Sequence, residues 1–388
     1  GNFYAPDAIK NGAILALSNK KNKNSKIIFQ QKPLNIFNKI SSAYRNSLNA
    51  NNIVITGSAG KTSVKELTGF TLGRLAKTYF SKNSYNNKYG VPLSMFNAPQ
   101  GAKFVVLEVG MDKKDEIDYL TKLIKPNLGL ITNVSYAHIE NFKNLNQIAQ
   151  AKGEIINNII PGGTMIINRD DKYYNYFLNK AKKQKLKIIS FSKKNKNANV
   201  TFLNEKKFKK KYLITFQINN KIKSFLISKE LLNYKENILA SLSIIINYFD
   251  VEKLNKNLFL NFNIPKSRGS IINFKNGSKK LIIVDESYNS NPLSFKFALE
   301  KFDTTYRNNN KKFLLIGNML ELGKYSKKLH INIAKYINKS KVNKVFAYGD
   351  LTKHTFNKLK PQMRGKILSN NMDILNLINK DLPNNSFL

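Results

Sequence analysis

The stretch at residues 53–63, Ile-Val-Ile-Thr-Gly-Ser-Ala-Gly-Lys-Thr-Ser, constrains the fold more than any other part of the sequence. Three β-branched residues lead into a glycine-rich turn, and a helix-compatible run follows at 64–75. A strand, a glycine turn and a helix in this order bind phosphate when the backbone N–H groups and the helix N-terminus face it. In such a loop Lys61 would bind the β- and γ-phosphates and Thr62 would bind Mg²⁺.

The loop is shorter than the usual phosphate-binding loop. It reads Gly-x-x-Gly-Lys-Thr, with Ile55 at the position where the first glycine usually stands. An ordinary turn between a strand and a helix would fit the same residues, because short motifs also match by chance. The choice between the two interpretations depends on the residues downstream.

Beyond the loop, apolar strand-like runs alternate with helix-like stretches, which predicts a doubly wound α/β fold with a parallel sheet. The predicted strands are 53–56, 104–109, 128–134, 164–168 and 186–191. The helices between them include 113–124 and 145–159. Shorter β-like runs at 200–228 contain a hairpin turn signal at Asn219-Asn220, and a helix is expected at 234–249.

Three domains are expected. Residues 1–50, with predicted helices at 7–17 and 34–48 and a strand at 26–29, would be part of an N-terminal domain. Residues 51–264 would form the central phosphate-loop domain. After a linker at 265–269, residues 265–388 would form a Rossmann-like α/β domain. Its predicted strands are 281–285, 313–317 and 342–347, and its helices are 293–302 and 326–337.

The chain is strongly basic, with 65 Lys and Arg residues against 24 Asp and Glu residues and a formal net charge of +41. This charge could indicate nucleic-acid binding, but lysine is spread along the chain and arginine, which specific phosphate and base recognition favours, is scarce. We therefore expect no nucleic-acid partner. The absence of cysteine excludes disulfides and thiolate metal sites. No run of 18 apolar residues predicts a membrane span, and an ATP site would favour the cytoplasm.

Three residues are candidates for chemistry, and two of them, Glu108 and His138, stand where ligands bind in an open α/β sheet, at or beyond the carboxyl ends of strands. Glu108 closes a predicted strand and could bind Mg²⁺. His138 follows the next strand, and Lys152 lies on a helix after it. Each also has a simpler interpretation, as a solvated acid, a structural histidine and a surface lysine.

Together the motifs resemble those of the Mur ligase family, in family order over nearly the whole chain. The matching segments are 56–66, 86–93 (Asn-Asn-Lys-Tyr-Gly-Val-Pro-Leu), 108–110, 131–138, 151–154 (Ala-Lys-Gly-Glu), 285–292 (Asp-Glu-Ser-Tyr-Asn-Ser-Asn-Pro) and 317–323 (Gly-Asn-Met-Leu-Glu-Leu-Gly), followed by His330. The shortened phosphate loop is typical of this family. The segments at 285–292 and 317–323 resemble those of the members that add D-alanyl-D-alanine to UDP-N-acetylmuramoyl-tripeptide.

The resemblance implies an ATP-dependent amide ligase of peptidoglycan precursor synthesis that works as a cytoplasmic monomer with two Mg²⁺ ions. ATP would be bound by Gly57, Ser58, Ala59, Gly60, Lys61, Thr62, Ser63, Asn237, Arg268 and Asp285. Metal would be bound by Thr62, Glu108, His138 and a carbamylated Lys152, and catalysis would use Lys61 with the last three of these. The substrates, UDP-N-acetylmuramoyl-tripeptide and D-alanyl-D-alanine, would contact Asn86, Asn87, Asn289 and Asn291.

The sequence departs from the family pattern at a few positions. Glu286 replaces the Asp that is usual in the family, and Asn233 replaces a His. Ser135-Tyr136 replaces a more usual Gly-Pro or similar pair. Another Mur ligase or a folylpolyglutamate-type ligase remains an alternative, as does a nucleic-acid-stimulated ATPase with a phosphate loop. The third residue of the peptide substrate, diaminopimelate or lysine, is left open.

The chain also resembles a fragment of such a ligase. It begins in what looks like the middle of the family's N-terminal domain, and it ends where the family continues into another strand and a final helix. The expectation is a protein that binds ATP but binds its UDP-linked substrate poorly, because remote binding energy positions the reacting group.

Overall fold

The computed structural model describes residues 2–305 and 311–388. The chain starts with a 3₁₀ turn and a small N-terminal unit. Its elements are α1 (Ala5–Lys10), β1 (Ala16–Ser18), β2 (Ile27–Phe29) and α2 (Pro33–Leu48). Strands β1 and β2 pair in parallel. Among the described residues, no helix is both long and apolar enough to cross a membrane.

A large mixed sheet forms the centre of the described chain. Its strands are β3 (Asn51–Thr56), β4 (Thr78–Phe80), β5 (Phe104–Glu108), β6 (Leu128–Ile131), β7 (Thr164–Asn168), β8 (Lys187–Ser192), β9 (Val200–Phe208), β10 (Lys211–Ile218) and β11 (Lys221–Ile227). They lie in the order β11-β10-β9-β8-β7-β6-β3-β5-β4. The strands from β9 to β4 in this order are parallel, whereas β10 is antiparallel to both of its neighbours. The predicted parallel sheet therefore continues into an antiparallel hairpin, with its turn at the predicted Asn219-Asn220.

The phosphate-loop strand lies inside this sheet, between β5 and β6. Its side chains alternate between the two faces, as in any strand. Ile53 and Ile55 pack into one hydrophobic cluster, and Val54 packs into the other. Because both faces of the sheet are covered, the central residues of β3, 53–55, are apolar in succession instead of alternating with polar residues. This burial holds the end of β3, and the loop that follows it, in a fixed position.

The helices of the central region are α3 (Lys61–Gly73), α4 (Gly90–Phe96), α5 (Glu116–Ile124), α6 (Leu145–Lys152), α7 (Tyr174–Lys183) and α8 (Lys235–Ile245). The predicted helix at 145–159 is divided, because α6 ends at Lys152 and a 3₁₀ helix, Gly153–Asn158, follows. The predicted helix at 7–17 is wrong in its second half. Gly12 has φ +95°, which ends the helical turn, and residues 16–18 form β1.

The C-terminal region contains two small sheets. Its elements are β12 (Ser270–Asn276), β13 (Lys279–Asp285), α9 (Pro292–Thr305), β14 (Phe313–Ile316), α10 (Ser326–Ile337), β15 (Lys344–Tyr348), α11 (Thr352–Phe356), β16 (Arg364–Leu368), α12 (Asn371–Asn376) and β17 (Ser386–Phe387). Strands β14, β15 and β16 are parallel and are separated by helices, as predicted for a Rossmann-like unit. Strand β13 pairs with β12 in an antiparallel hairpin and with β17 in parallel. Strands β12, β16 and β17 were not predicted from the sequence.

One segment of the C-terminal region packs directly on the central region. The side chains of Met319 and Leu322 are buried in the same hydrophobic cluster as Ile139 and Phe142. The main-chain N–H of Glu140 donates to the carbonyl of Glu321 at 3.2 Å. A Cβ atom at Gly323 would lie 2.7 Å from Cβ of Glu140, so the two backbones meet at a distance that glycine alone permits.

This contact predicts the effect of substitutions at two glycines with similar backbone conformations. Gly323 has φ +48° and a crowded position, whereas Gly277 has φ +58° and a Cβ atom added there would meet no atom within 4 Å. Gly323→Ala is expected to lower the free energy of unfolding by about 1–3 kcal/mol more than Gly277→Ala, since both substitutions strain the backbone but the first also overpacks the interface. Chemical denaturation measures both. Equal losses would show that the contact with Glu140 relaxes freely.

Candidate active site

The phosphate loop, residues 57–63, joins the end of β3 to the start of α3. Gly57 has φ +149°, and a Cβ atom there would lie 1.8 Å from Oγ1 of Thr132. Gly60 has φ +81° and precedes the first residue of α3. Both glycines are required by this geometry, one for close packing and one for its left-handed conformation. The N-terminus of α3, with its free N–H groups, therefore opens directly onto the loop.

The end of β6 holds the loop in place through hydrogen bonds. Asn133 accepts from the N–H of Ser58 through its carbonyl and from the N–H of Ala59 through Oδ1, both at 2.9 Å. Thr132 Oγ1 donates to the carbonyl of Ala59 at 2.7 Å. The Ser58 hydroxyl accepts from the N–H of Ser135 and donates to its carbonyl. Both bonds use the main chain of Ser135, so the backbone at this departure from the family pattern holds the loop and its side chain is not involved in them.

Lys61 is the first residue of α3, and its side chain folds back over the loop. Its ammonium group donates to the carbonyl of Gly57 at 3.0 Å. Burial lowers the pKa of Lys61, the Glu108 carboxylate acts to raise it, and Arg268 acts to lower it. The carboxylate of Glu321 also acts to raise this pKa. The ammonium group therefore lies near two carboxylates and one further cation, at the place where a phosphate would neutralise the positive charge.

Glu108 is almost completely buried, with 1% of its surface exposed. Its two carboxylate oxygens are separately bound: Thr62 Oγ1 donates to Oε2 at 2.7 Å, and Asn86 Nδ2 donates to Oε1 at 2.8 Å. The structure thus brings together three of the predicted site residues. Asn87, which was predicted to contact substrate together with Asn86, instead accepts hydrogen bonds from the N–H groups of Tyr89 and Gly90. Its side chain therefore shapes the start of α4.

His138 lies beyond β6 in a left-handed conformation, φ 56°. Its Nδ1 atom is 3.0 Å from a carboxylate oxygen of Asp112 and 2.7 Å from one of Glu321. Neither contact is a hydrogen bond. Burial, followed by the charges of Lys61 and Lys152, lowers the pKa of His138 to about 4. The histidine is therefore neutral near pH 7, and its side chain with the two carboxylates is a set that could hold a cation.

Lys152 ends α6 and is buried, with 2% of its surface exposed. Burial, together with the nearby charge of Lys61, holds the pKa of Lys152 well below its usual value. A desolvated lysine of this kind carries a neutral amine far more readily than a surface lysine does. The simple interpretation of Lys152 as a solvated helix residue is therefore wrong.

A cavity of about 350 Å³ lies between the phosphate loop, α8 and the C-terminal region. Predicted site residues that line it are Ala59, Gly60, Ser63, Asn237, Arg268 and Asn289. Two of the departures from the family pattern, Asn233 and Glu286, line it as well. Asn289, expected on the side of the amine substrate, thus shares a cavity with Asn237, which was expected to contact adenine.

The remaining predicted residues lie where the C-terminal region meets the loop. Asn291 Nδ2 donates to the carbonyl of Ser58 at 3.3 Å, which ties the start of α9 to the phosphate loop. Asp285 accepts hydrogen bonds from the hydroxyls of Ser267 and Ser287, at 2.8 and 2.6 Å. Through the bond from Ser267, Asp285 holds the turn that carries Arg268.

Sequence reasoning assigned no role to several residues of this site. Asp112 and Glu321 lie beside His138, and Ser84 lies between Thr62 and Arg268. The sequence held one signal for Glu321, since the 317–323 motif contains it. Asp112 and Ser84 lie in loops close to the motifs at 108–110 and 86–93 but belong to neither motif, so no role was predicted for them.

Comparison with known proteins gives the class to which this fold and site belong. Residues 55–245 match the Mur ligase middle domain family. The UDP-N-acetylmuramoyl-tripeptide--D-alanyl-D-alanine ligase of Buchnera aphidicola subsp. Baizongia pistaciae is 34% identical over 90% of this chain and 75% of its own length. The enzyme of the same name from Rickettsia prowazekii is 31% identical over 95% of this chain and 82% of its own length.

Solved structures agree on the fold. MurF from Acinetobacter baumannii superposes with a TM-score of 0.84 at 22% identity, covering 100% of this chain and 84% of that one. MurF from Thermotoga maritima in complex with ADP superposes with a TM-score of 0.81 at 20% identity, covering 99% of this chain and 86% of that one. The predicted α/β Mur ligase architecture is confirmed. The chain belongs to the Mur ligase family, in the group of UDP-N-acetylmuramoyl-tripeptide--D-alanyl-D-alanine ligases.

The contacts of Lys61 predict that Lys61→Ala loses at least about 100-fold in ATP turnover, because a preorganised cation beside the phosphates is removed. The thermal midpoint should change little, since the bond from Lys61 to the Gly57 carbonyl stays within the loop. Lys180→Ala, on α7, is a matched control, because burial also lowers the pKa of Lys180. Phosphate release from ATP measures both variants. Near-normal turnover by Lys61→Ala would contradict the phosphate-loop assignment.

Proposed function

We propose that this protein joins D-alanyl-D-alanine to UDP-N-acetylmuramoyl-tripeptide with the hydrolysis of ATP to ADP and phosphate, as a step of peptidoglycan precursor synthesis. One observation carries the proposal: the Thr62–Glu108–Asn86 hydrogen bonds stand beside Lys61 at the end of a phosphate loop. The names of the relatives support the choice of substrates. As an enzyme of nucleotide-linked precursors, it would work in the cytoplasm.

The residues at the loop fit a magnesium ion. Thr62 and Glu108 offer a hydroxyl and a carboxylate oxygen, the hard donors that Mg²⁺ prefers, at a site where phosphate oxygens would complete the coordination. These two residues would hold the first ion, and His138 with its neighbouring carboxylates would help to hold a second. When bound, Mg²⁺ neutralises charge on the phosphates and on the transferred phosphoryl group.

The reaction would have two steps. In the first step, the terminal carboxylate of the tripeptide attacks the γ-phosphorus, and ADP leaves as an acyl phosphate forms. In the second, the amine of D-alanyl-D-alanine attacks the acyl carbon, and an amide forms as phosphate and a proton leave. Lys61 would stabilise the transferred phosphoryl group, and Arg268 would contact the nucleotide from the C-terminal region. Burial of the site would keep water away from the acyl phosphate.

Lys152 would take part as a carbamate. Its neutral amine would attack the carbon of CO₂, so that an N–C bond forms and a proton is released. The lowered pKa of Lys152 favours this step, because only the neutral amine has a free electron pair. The product is an anion with two oxygens, which would suit a site that already contains His138 and would make Lys152 a metal ligand.

The substrates and the activity of this chain can be tested together. The protein is incubated with ATP, Mg²⁺, D-alanyl-D-alanine and UDP-N-acetylmuramoyl-tripeptide, with either diaminopimelate or lysine as the third residue, and the products are identified by mass spectrometry. The expected product is the UDP-linked pentapeptide. An amide formed with glutamate or with a single amino acid instead would favour another Mur or folylpolyglutamate-type ligase. ATP hydrolysis that DNA or RNA stimulates, with no amide formed, would favour the ATPase.

The carbamate predicts the behaviour of Lys152 variants. Lys152→Ala and Lys152→Arg are both expected to lose at least about 100-fold in ligation, because neither can form the anionic ligand. Added formate or acetate should partly restore Lys152→Ala. In ¹³CO₂-equilibrated buffer, the wild type should give a carbamate carbon signal in NMR spectra that Lys152→Arg lacks. An active Lys152→Arg enzyme would show that positive charge is sufficient and would overturn the carbamate.

A further inference from the structure

A second buried lysine lies close to the phosphate loop. Lys65, on α3, has no exposed surface, and its ammonium group donates to the main-chain carbonyls of Ser81 and Asn83, at 2.5 Å for Asn83. It also lies 2.7 Å from the carboxylate of Glu66. A buried charge is tolerated when it is paired and hydrogen-bonded in this way. Lys65 therefore fixes the backbone at residues 81–83 against the helix that carries the loop.

Ser84 follows this fixed backbone, directly after Asn83 with its left-handed φ of 48°. The Ser84 hydroxyl lies 3.2 Å from Oγ1 of Thr62, the proposed magnesium ligand. The same hydroxyl accepts a hydrogen bond of 2.9 Å from Nη2 of Arg268, which is 184 positions away in sequence. One small side chain thus contacts both the phosphate loop and the C-terminal region.

Arg268 is held from two further directions. Its guanidinium carbon lies 4.1 Å from the centre of the Tyr288 ring, a cation–π contact. Its main-chain carbonyl accepts from the Tyr234 hydroxyl at 2.7 Å. The ring fixes the plane of the guanidinium group and the Tyr234 bond fixes the backbone. The Ser84 contact is what directs a guanidinium N–H towards the phosphate loop.

We propose that Ser84 is a positioning residue for the ligase reaction: its hydroxyl holds Arg268 against the phosphate loop beside Thr62, where the nucleotide phosphates bind. This inference rests on the proposed ATP-dependent function. Ser84 acts through Arg268 and Thr62, so its removal misdirects the arginine without removing the charge. Hydrogen bonds to charged donors are the stronger kind, which makes the contact large enough to measure.

The test is a double-mutant cycle of Ser84→Ala and Arg268→Ala, with kcat and KM for ATP measured in all four proteins. We expect Ser84→Ala to lower kcat/KM for ATP by about 10-fold, and the double variant to be no worse than Arg268→Ala alone. Ser84→Thr should retain activity, because it keeps the hydroxyl. If Ser84→Ala does not fold, the cycle is run with Ser84→Cys, which keeps the size of the side chain.

Ser224→Ala is the matched control. The Ser224 hydroxyl also lies against a threonine hydroxyl, 2.9 Å from Thr215, in the β10–β11 hairpin. This variant should leave kcat and KM unchanged. Losses for Ser84→Ala and Arg268→Ala that simply add, a Ser84→Thr variant as impaired as Ser84→Ala, or a Ser84→Ala variant that behaves like the control would each overturn the proposal.

Calorimetry of a non-hydrolysable ATP analogue with the same four proteins separates this inference from the proposed function. Coupling between Ser84 and Arg268 in nucleotide affinity, with no amide formed by the wild type, would support the role of Ser84 and reject the D-alanyl-D-alanine substrate. Amide formation by the wild type, with additive losses in both kcat/KM and affinity, would support the substrate and reject the role of Ser84.

Discussion

The site depends on a carboxylate that the fold buries and then binds on both oxygens. Removing a carboxylate from water is costly unless hydrogen bonds replace the lost hydration. Glu108 receives these bonds from Thr62 on the phosphate-loop helix and from Asn86 in the loop before α4. The three residues come from separate parts of the sequence, and the pairing of β3 with β5 brings two of those parts together. The geometry of the site therefore depends on the register in which β3 pairs with β5.

The C-terminal region contributes to this site at several points. Arg268 binds Ser84, Asn291 binds the carbonyl of Ser58, and Glu321 lies beside His138. Each of these contacts is polar and lies beside the phosphate loop or the residues that follow β6. The buried side chains of Met319 and Leu322 flank Glu321 in sequence and supply the apolar contact with the central region. This division suits an enzyme in which apolar packing sets the position of a region and polar groups complete the chemistry there.

The lysines of the site illustrate how burial gives different functions to one residue type. Lys65 and Lys152 are fully buried and Lys61 is partly buried, and the partners of the three lysines differ. Lys65 binds backbone carbonyls and Glu66, which keeps a structural cation in place. Burial and the charge of Lys61 instead lower the pKa of Lys152. In a chain with 65 basic residues, composition could not separate these lysines from the solvated ones.

The sequence by itself determined the alternation of strands and helices in the central region, the phosphate loop and the family. The signals behind these predictions are local: the glycines at 57 and 60, the β-branched residues in β3 and the ordered motifs. Each lies within a short stretch of the chain, so it can be recognised without the structure. Only the tertiary structure decided that the predicted hairpin joins the central sheet through β9, that Asp112 and Glu321 meet His138, and that Ser84 links Thr62 to Arg268. Those contacts join residues far apart in the chain, and their geometry depends on strand pairing and burial, which no local pattern encodes.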